Sequence, residues 1–422
     1  MKAFVIAGGV PQIELIKQLK SRRITTVLAD GNPNAVARPY ADIFYHVNIF
    51  DVPAIKEIAE KEKVDFLITV CADQVLLVVA EVSEMLGLPW YIDAETAKHV
   101  SDKELMKKVF VQNSIPTSQY VVMNELNVEK TRHLRYPLIV KPVDAYSSKG
   151  VKKVQNEEEL KVAFEAAKSI SRTKNAIVEE FFEGEEISVD LFVEDGTAHV
   201  LLISNSDKVK DDEHFAIFRG RYPVLASEKI KNEVAKVSQQ IADAFGIKNA
   251  PMLVQMLTDG EKITVLEFCA RTGGAMKWLL IKHASGVDVI KGVVDLTLGL
   301  KPDIQIAEPE SNYIVNDFIY CKTGEFDHLE GFDEQLSKGN ISDYRCLRPS
   351  GWKASGMIGS SSDRICGVTF QANTLEEFNR KHREFVEQVR VLDIEGNDIM
   401  RHDLLPDLSV GMHDNSICNL SI

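Results

Sequence analysis

Cysteine is scarce in this chain and follows no pattern. The 422 residues include six cysteines, at positions 71, 269, 321, 346, 366 and 418, and no two of them stand in a CxxC arrangement. A disulfide framework belongs to small, cysteine-dense chains and a zinc site to closely spaced pairs, so the spacing excludes both. Scattered cysteines are typical of reduced thiols, and we therefore expect a cytoplasmic protein.

Positive charge is also in deficit. Lysine and arginine total 49 against 63 aspartates and glutamates, which gives a net charge of −14. Proteins that bind nucleic acid gain affinity by releasing counterions with clustered lysines and arginines, so no nucleic-acid partner is expected. Small phosphate ligands stay open, because a local cationic pocket can form on an acidic protein.

Long hydrophobic runs are missing as well. The strongly apolar run Val75–Ala80 is far shorter than the roughly 20 residues that a spanning helix needs, so no membrane partner is expected. The N-terminal MKAFVIAGG has a lysine and then only about five apolar residues before Gly8-Gly9, which favours a first β-strand over a signal peptide.

The length and composition are those of a globular protein with several parts. Apolar residues make up 45% and charged residues 27% of the chain, as in ordinary soluble domains. A chain of 422 residues exceeds one ordinary core, so about two to four sub-domains are expected. No internal repeat or low-complexity segment is visible.

Residues 1–90 alternate between strand and helix signals. This βαβ pattern predicts an α/β domain with a parallel sheet covered by helices. Gly8-Gly9 after the first strand and Asp30 at the end of the second resemble half of a dinucleotide-binding fingerprint, but GxGxxG is absent, so a tight βα turn is preferred. The strand signals are Ala3–Ala7, Thr25–Ala29 and Phe66–Val70, and the helix signals are Pro11–Ser21, Asp51–Lys61 and Asp73–Leu86.

The pattern changes after residue 100. Ser101 and Asp102 are candidate caps of an amphipathic helix over 101–114. From about 115 to 300 the sequence predicts an α+β region with antiparallel sheets, and the strongest hairpin signal is Asp259-Gly260 between two apolar strands. The tail from 301 has strands near Tyr313–Cys321 and Cys366–Gln371 and a helix at Thr374–Gln388. Its last dozen residues are polar and are expected to fray.

A lysine ends the apolar strand LIVK at Lys141 and precedes Pro142 and the small-residue turn SSKG at 147–150. Small residues let backbone N–H groups close over phosphate oxygens, and the lysine supplies the opposite charge. The alternative is a lysine whose charged end reaches solvent from an apolar strand. Lys103, inside the helix over 101–114, is by itself typical of a solvated surface lysine.

Two glutamates flank a glycine turn in VEEFFEGEEISVD, residues 178–190. Glu179 and Glu186 lie on strands joined at Glu183-Gly184. One interpretation is a solvated acidic hairpin. The other is a nucleotide site, in which one carboxylate faces the adenine amine, the other faces ribose hydroxyls, and Phe181 helps to wall the base.

A third charged group stands on the apolar strand ITVLEF. An unpaired carboxylate at Glu267 would be costly there, and Arg271, four residues on, could pair with it. The alternative is a hard-cation ligand at Glu267, because magnesium prefers carboxylates and phosphate oxygens, with Arg271 holding a phosphoryl group. Gly273-Gly274 would let a ligand approach the backbone.

Taken together, these motifs resemble the ATP-grasp superfamily and its carboxylate–amine ligase branch, which includes biotin carboxylase-like, carbamoyl phosphate synthase-like and L-amino acid ligase-like proteins. The resemblance implies a Rossmann-like pre-ATP-grasp domain at 1–100 and an ATP-grasp domain at 101–300. Within the latter, a nucleotide lies between a central sub-domain at about 115–180 and residues from about 181 to 300. Residues 301–422 then form an α+β extension that completes the grasp domain or the substrate pocket.

The resemblance also implies roles for single residues. Lys103 and Lys141 resemble the two lysines that hold ATP phosphates, and Ser148 and Gly150 belong to the loop that closes on the triphosphate. VEEFFEGEEISVD resembles the hinge strand, with Glu179 near the adenine amine, Phe181 contacting the base through its main chain, and Glu186 on the ribose.

EFCAR at 267–271 resembles the signature ExNxR of that superfamily. It implies Glu267 as a metal ligand and Arg271 as the catalytic residue facing the γ-phosphate or acyl phosphate. The chain departs from the pattern twice: Cys269 stands where asparagine is usual, and Gln255 stands where the first metal-binding glutamate is usual. A neutral amide is a weak magnesium ligand and a thiol is softer still.

The implied activity is that of a ligase using ATP and Mg²⁺, with Mn²⁺ as an alternative metal. It would activate a carboxylic acid as an acyl phosphate that an amine then attacks, so both substrates are small molecules. Alternatives are a carboxylating or phosphotransfer enzyme with the same site, and a catalytically weakened nucleotide-binding relative. The resemblance is also compatible with a homodimer. Arg219 and Arg221 lie in a segment, with His214, that would face substrate or form an exposed basic turn.

Overall fold

The computed structural model describes residues 1–145, 149–209 and 216–408. Its first part is a four-stranded parallel sheet with helices packed on it. The elements, in chain order, are β1 (Lys2–Ile6), α1 (Val10–Ser21), β2 (Thr25–Asp30), β3 (Ile43–His46), α2 (Val52–Glu62), β4 (Phe66–Ile68), α3 (Leu76–Leu86) and α4 (Ala94–Ser101). The strand order is β3-β2-β1-β4, and every pair is parallel. The predicted α/β domain is confirmed.

The strands of this sheet are apolar because both faces are covered. Phe4 and Ile6 on β1 pack with α2 and α3 on one side, while Ala3 and Val5 pack with α1 on the other. The turn after β1 is tied to β2, since the Gly8 N–H donates to Asp30 Oδ2 at 2.6 Å. The Asp30 carboxylate therefore holds a tight βα turn, as the sequence favoured.

The second part is a small antiparallel sheet with one helix on its back. Its elements are α5 (Lys103–Gln112), β5 (Tyr120–Met123), α6 (Val128–Thr131), β6 (Leu138–Pro142), β7 (Lys152–Val154), α7 (Glu157–Ile170) and β8 (Ala176–Glu180). The strand order is β5-β8-β6-β7. Asp102 caps α5 by accepting from the N–H groups of Glu104 and Leu105 at 2.8 and 3.0 Å. Ser101 instead ends α4, a helix that the sequence analysis did not identify.

The largest sheet has eight strands and extends into the C-terminal third of the chain. Its strand order is β13-β12-β9-β10-β11-β14-β18-β16, and the Asp259-Gly260 hairpin joins β12 to β13 as predicted. The elements of this part up to residue 300 are β9 (Glu185–Glu194), β10 (Thr197–Lys208), β11 (Ile217–Tyr222), α8 (Glu228–Ala244), β12 (Ala250–Thr258), β13 (Ile263–Cys269), α9 (Lys277–Ser285) and α10 (Val289–Thr297).

Strands after residue 300 continue that same sheet, since β14 pairs with β11 and β18 pairs with β14. A separate three-stranded sheet, β17-β15-β19, lies beside them. The predicted fraying of the last dozen residues concerns residues outside those described. The C-terminal elements are β14 (Tyr313–Ile319), β15 (Thr323–Glu330), α11 (Phe332–Ser337), β16 (Asp343–Cys346), β17 (Lys353–Ser355), β18 (Cys366–Ala372), α12 (Leu375–Gln388) and β19 (Arg390–Asp393).

The long helices of this fold pack against the faces of its sheets. Among the described residues, none of them combines the length and the apolar character that a membrane-spanning segment needs. The longest, α8, covers one face of the large sheet with Ile230, Val234, Val237 and Ile241. The opposite face of that sheet packs in part against α9 and α10, and its remaining part lines two cavities.

Candidate active site

Strand alternation aims charged side chains from the small sheet into one cavity. Successive residues of a strand point to opposite faces, so Val140 and Val178 pack under α7 while Lys141 and Glu179 lie on the other face. Both charged residues are nevertheless buried, with 7% and 3% of their surfaces exposed. The predicted position of Lys141 at the end of an apolar strand is thus found, but its charged end does not reach solvent.

The large sheet contributes polar side chains by the same alternation. On β9, Ile187 and Val189 pack under α8, while Glu186 and Ser188 face the other way. On β12, Gln255 stands directly opposite Ser188 in the strand register. The polar residues of two separate sheets therefore meet across a common space.

A β-bulge on β13 adds a further carboxylate. Gln255 pairs with Glu267 but Met256 pairs with Val265, so Leu266 is the extra residue. Neighbouring strand residues normally face opposite sides, yet Leu266 and Glu267 both line the cavity between the two sheets. A bulge has this effect, because it re-aims side chains within a strand.

We call the space between the small and large sheets the inter-sheet cavity; its volume is about 260 Å³. It brings together seven of the residues that the sequence analysis singled out, and an eighth, Lys149, belongs to the SSKG turn. Ser148 lies outside the described residues. The seven are Lys103, Lys141, Glu179, Phe181, Glu186, Gln255 and Glu267.

The centre of this cavity wall is a buried group of three charges. Glu179 makes ion pairs with Lys141 and, at 2.6 Å, with Lys107. Burial opposes ionisation of the Glu179 carboxyl, but the two ammonium groups outweigh it and lower its pKa to about 2. Burial lowers the pKa of Lys107 despite the nearby Glu179 charge. The solvated acidic hairpin is therefore wrong for Glu179.

Glu267 does not pair with Arg271, the neighbour that the sequence made the obvious partner. Its Oε2 lies 3.0 Å from Nζ of Lys103, which also donates to the carbonyl oxygen of Ala145 at 2.8 Å. Lys103 is 8% exposed, so the solvated surface lysine is also wrong. The tertiary fold, rather than i,i+4 spacing, supplies the partner.

Glu186 and Gln255 form a second polar group on the large sheet. Nε2 of Gln255 donates to Oε1 of Glu186 at 3.0 Å, while Oε2 of Glu186 lies 2.7 Å from Nζ of Lys208. The amide nitrogen is thereby turned toward Glu186. An amide has its oxygen opposite its nitrogen, so the carbonyl end of Gln255 is directed away from Glu186.

Arg271 is held by an aspartate from the N-terminal part. Its Nε and Nη2 donate to the two carboxylate oxygens of Asp73, and Nη1 donates to the Thr272 carbonyl at 2.7 Å. Burial disfavours the charged guanidinium, but Asp73 outweighs it and raises the pKa of Arg271. Cys269 lies beside this pair, and burial, reinforced by Asp73, raises the pKa of its thiol well above the usual value.

The backbone at Phe181 and at Gly150 limits the contacts that these two residues can make. The N–H of Phe181 donates to the Pro137 carbonyl at 3.0 Å, so any main-chain contact of Phe181 with a base would use its carbonyl oxygen. Gly150 has φ +76°, and a Cβ there would lie 2.7 Å from Cδ1 of Ile170. Glycine is required at 150 both for the left-handed conformation and for this close approach.

Gly273 and Gly274 both line the larger of two cavities, but the protein's own side chains already approach Gly273 closely. A Cβ at this position would lie 2.5 Å from the Lys277 side chain and 2.8 Å from Asp190. The close approach is therefore made by the protein itself. Lys277, in turn, donates to Ser204 Oγ at 2.7 Å and lies 3.7 Å from Asp190.

A second, larger space adjoins the first, and we call it the central cavity. Its volume is about 460 Å³, and its walls come from the start of α1, from the large sheet and from residues 347–364 of the C-terminal part. Arg271 and Lys277 line it. Gln255 and Glu267 line both cavities, so the two spaces meet at this pair.

The basic segment after β10 has a structural role in its described part. Arg219 is buried and makes a bidentate ion pair with Asp317 on β14, at 2.5 and 2.8 Å. Nε of Arg221 donates to Asp207 at 2.9 Å. Both arginines lie buried on β11 and pair with carboxylates of neighbouring strands, so the expected exposed basic turn is wrong. His214 lies outside the described residues.

Sequence reasoning missed several charged residues that complete the site. Lys107 could have been found, because it lies one helical turn after Lys103 and so on the same face of α5. Asp73 follows β4, at the carboxyl edge of a parallel sheet where ligands bind. Lys208, Lys277 and Asp190 have no comparable local signal.

Comparison with known proteins agrees with the resemblance. The sequence model of the ATP-grasp domain family matches residues 134–278. The carbamoyl phosphate synthase large chain of Clostridium beijerinckii is 24% identical over 295 residues, which are 68% of this chain and 27% of that one. The chain spans less than two thirds of the length of the first curated relatives that it matches.

Solved structures show the same fold at low sequence identity. An L-amino acid ligase from Bacillus licheniformis superposes with a TM-score of 0.75 at 19% identity, covering 93% of this chain and 98% of that one. The biotin carboxylase domain of a 2-oxoglutarate carboxylase from Hydrogenobacter thermophilus, solved with MgADP and bicarbonate, gives 0.76 at 16% identity and covers 96% and 92%. The predicted resemblance and the predicted ATP-grasp fold are confirmed.

Proposed function

We propose, from the ATP-grasp domain that this chain carries at residues 134–278, that the protein is an ATP- and magnesium-dependent ligase joining a carboxylic acid to an amine. The observation that carries this proposal is the contact between two cavities at Gln255 and Glu267. A nucleotide in the inter-sheet cavity would present its terminal phosphate to an acid in the central cavity.

The nucleotide roles follow from the charges of the inter-sheet cavity. Lys103 and Lys141 would bind phosphate oxygens, and Glu179, Phe181 and Glu186 would contact the base and ribose. Both lysines now pair with carboxylates. A triphosphate carries more negative charge than one carboxylate, so it would compete for these lysines and release Glu267. Ser148 and Gly150 would belong to the loop closing over the phosphates, which excludes water.

The donor set fits magnesium only in part. Among the described residues, no cluster of three or more His, Cys, Asp or Glu side chains could hold a metal by itself. Magnesium is usually bound by one or two carboxylates together with substrate phosphates. Glu267 would supply the carboxylate and Gln255 a carbonyl oxygen. The bound ion would neutralise charge on the phosphates during transfer.

Arg271 would act at the reacting phosphoryl group. A guanidinium has five N–H donors, and three of them are used on Asp73 and Thr272. The remaining two can meet phosphoryl oxygens, while Asp73 fixes the plane of the fork. Such positioning is the main contribution a protein makes to phosphoryl transfer.

The proposed reaction has two steps. The acid's carboxylate oxygen bonds to the γ-phosphorus as the bond to ADP breaks. The amine nitrogen then bonds to the acyl carbon, inorganic phosphate leaves with one oxygen of the acid, and the amine gives its proton to that phosphate. With ¹⁸O in the acid, a ligase therefore delivers label to phosphate. A simple phosphotransferase would retain all label in its phosphorylated product.

The main test is the release of ADP. We expect ADP to form only when an acid and an amine are present together, and Glu267→Gln should reduce this by about 100-fold or more, the scale seen when one transition-state contact is lost. Glu261→Gln is the matched control, because Glu261 lies on the exposed β12–β13 turn with 85% of its side chain accessible.

Two results together would overturn the proposal. No acid or amine of a broad panel would stimulate ADP release, and the parent and Glu267→Gln would bind nucleotide equally well. A catalytically weakened nucleotide-binding relative is the second candidate, favoured by Gln255 and Cys269 at positions where the superfamily usually has glutamate and asparagine. The use of Mn²⁺, a homodimer and a cytoplasmic location stay predictions.

A further inference from the structure

Arg364 is a buried guanidinium for which the described residues supply no carboxylate partner. It is 9% exposed and lines the central cavity. Its Nη2 donates to the Ile217 carbonyl at 2.8 Å and to the Ser361 hydroxyl at 3.0 Å, and its Nε donates to the Ile217 carbonyl at 3.3 Å, so these acceptors are neutral oxygens. The Phe318 ring lies 3.8 Å from its guanidinium carbon. Buried charges are usually paired, so this arrangement indicates a missing anion.

Arg348 stands next to Arg364 on the same wall of the central cavity. Its Nε donates to the Arg364 carbonyl at 3.2 Å. Asp363 interacts with it only at longer range, without an ion pair, and burial lowers the pKa of Arg348. Burial likewise lowers the pKa of Arg364. Two half-buried or buried guanidinium groups therefore lie together with little compensation from the described carboxylates.

The other cations of the central cavity differ in this respect. Arg271 is neutralised by Asp73, and Lys277 lies 3.7 Å from Asp190. The uncompensated positive charge is thus confined to the wall formed by residues 348–364. This wall does not border the inter-sheet cavity in the described structure, and the inter-sheet cavity is where the proposed nucleotide would lie.

We propose that the acid substrate of the central cavity carries a second oxyanion, a carboxylate or a phosphate monoester, which Arg364 binds with Arg348 beside it. This inference rests on the proposed ligase function. One carboxylate would react near Glu267 and Arg271, and the second oxyanion would hold the other end of the molecule. The volume of about 460 Å³ lies within the range of small-molecule sites, about 300–1,000 Å³. A guanidinium fork suits both kinds of oxyanion.

The test uses two matched pairs of compounds with the full-length protein. Glutarate against pentanoate probes a second carboxylate, and 3-phosphoglycerate against glycerate probes a phosphate. Dissociation constants are measured by calorimetry at low ionic strength, with and without Mg–ADP. In at least one pair, we expect the compound with the second oxyanion to have a dissociation constant lower by about 10-fold or more. The pair that shows this preference identifies the oxyanion.

Arg364→Gln should reduce that preference to less than about 3-fold and leave the dissociation constant of Mg–ADP unchanged. Arg345→Gln is the control, because Arg345 lies on β16, pairs with Asp343 and lines neither cavity. Should Arg364→Gln fail to fold by circular dichroism, Arg348→Gln carries the same comparison. Equal binding within both pairs, or a preference that survives substitution of Arg364, would overturn the inference.

The outcome for the anion site is separate from the outcome for the proposed function. A protein that prefers dianions through Arg364 but binds no nucleotide refutes the ligase and keeps the anion site. A protein that binds Mg–ADP and releases ADP with an acid and an amine, but shows no such preference, keeps the ligase and refutes the anion site.

Discussion

Replacing Glu179 with glutamine should strongly destabilise the chain, although the change is nearly isosteric. The carboxylate of Glu179 lies between the ammonium groups of Lys107 and Lys141, and all three residues are buried. Glutamine keeps the shape but removes the negative charge, which leaves two buried ammonium groups side by side. Breaking a buried ion pair in this way costs about 3–5 kcal/mol.

The lowered pKa of Glu179 gives a second, independent value for the free energy that its charge contributes to folding. The difference of about 2.5 pH units between the usual pKa of 4.5 and the value of about 2 corresponds to about 3–4 kcal/mol at about 1.4 kcal/mol per unit. The folded pKa is depressed, so this stabilisation is fully present above pH 4.5 and is lost as the pH falls toward 2. Between pH 5 and 8 the difference between parent and variant should therefore be constant.

Urea unfolding followed by circular dichroism measures this difference. The matched control is Glu180→Gln, on the next residue of β8. Glu180 pairs with Arg135, whose side chain is 85% exposed, and exposed pairs contribute about 1 kcal/mol or less. We expect a clearly lower urea midpoint for Glu179→Gln and a midpoint near that of the parent for Glu180→Gln. Equal midpoints for the two variants at pH 7 would refute the account of a buried, charge-balanced trio.

Two further predictions concern the reaction. Gln255→Glu should raise ADP-forming turnover and lower the magnesium concentration for half-maximal rate by about 10-fold, because it places a second carboxylate opposite Glu267. A magnesium titration that is the same for parent and variant would contradict this. Arg271→Lys should reduce turnover by about 100-fold with nucleotide affinity nearly unchanged, because lysine cannot engage both oxygens of Asp73 and a phosphoryl group; equal losses in turnover and affinity would show that Arg271 serves general binding instead.

Much of the architecture could be predicted because it is written in local patterns. The βαβ alternation of residues 1–90 predicted a parallel sheet, and Asp259-Gly260 between apolar strands predicted a hairpin; both were found. The C-terminal part was harder. Its strand β14 joins the large sheet by pairing with distant β11, β18 pairs with β14, and β16 pairs with β18. Such long-range pairing leaves no local trace in the sequence.

In the candidate site, the sequence predicted several of the residues but not their ion-pair partners. Polar residues on apolar strands marked Lys141, Glu186 and Glu267 in advance, because an apolar strand with one charge is costly without a partner. The neighbour in sequence was the wrong partner for Glu267, which pairs with Lys103. Arg364 gave no signal at all, since a single arginine in a loop is ordinary until its burial is known.

The sequence by itself determined which side chains share a face on the regular strands, because alternation with a period of two fixes the two faces there; the bulge on β13 is the exception. The tertiary structure alone decided which charges neutralise each other. Arg271 and Asp73 are 198 residues apart, and Lys103 at the start of α5 pairs with Glu267 on β13. Charge pairing depends on distance in space, and only the packing of the helices and sheets against one another sets those distances.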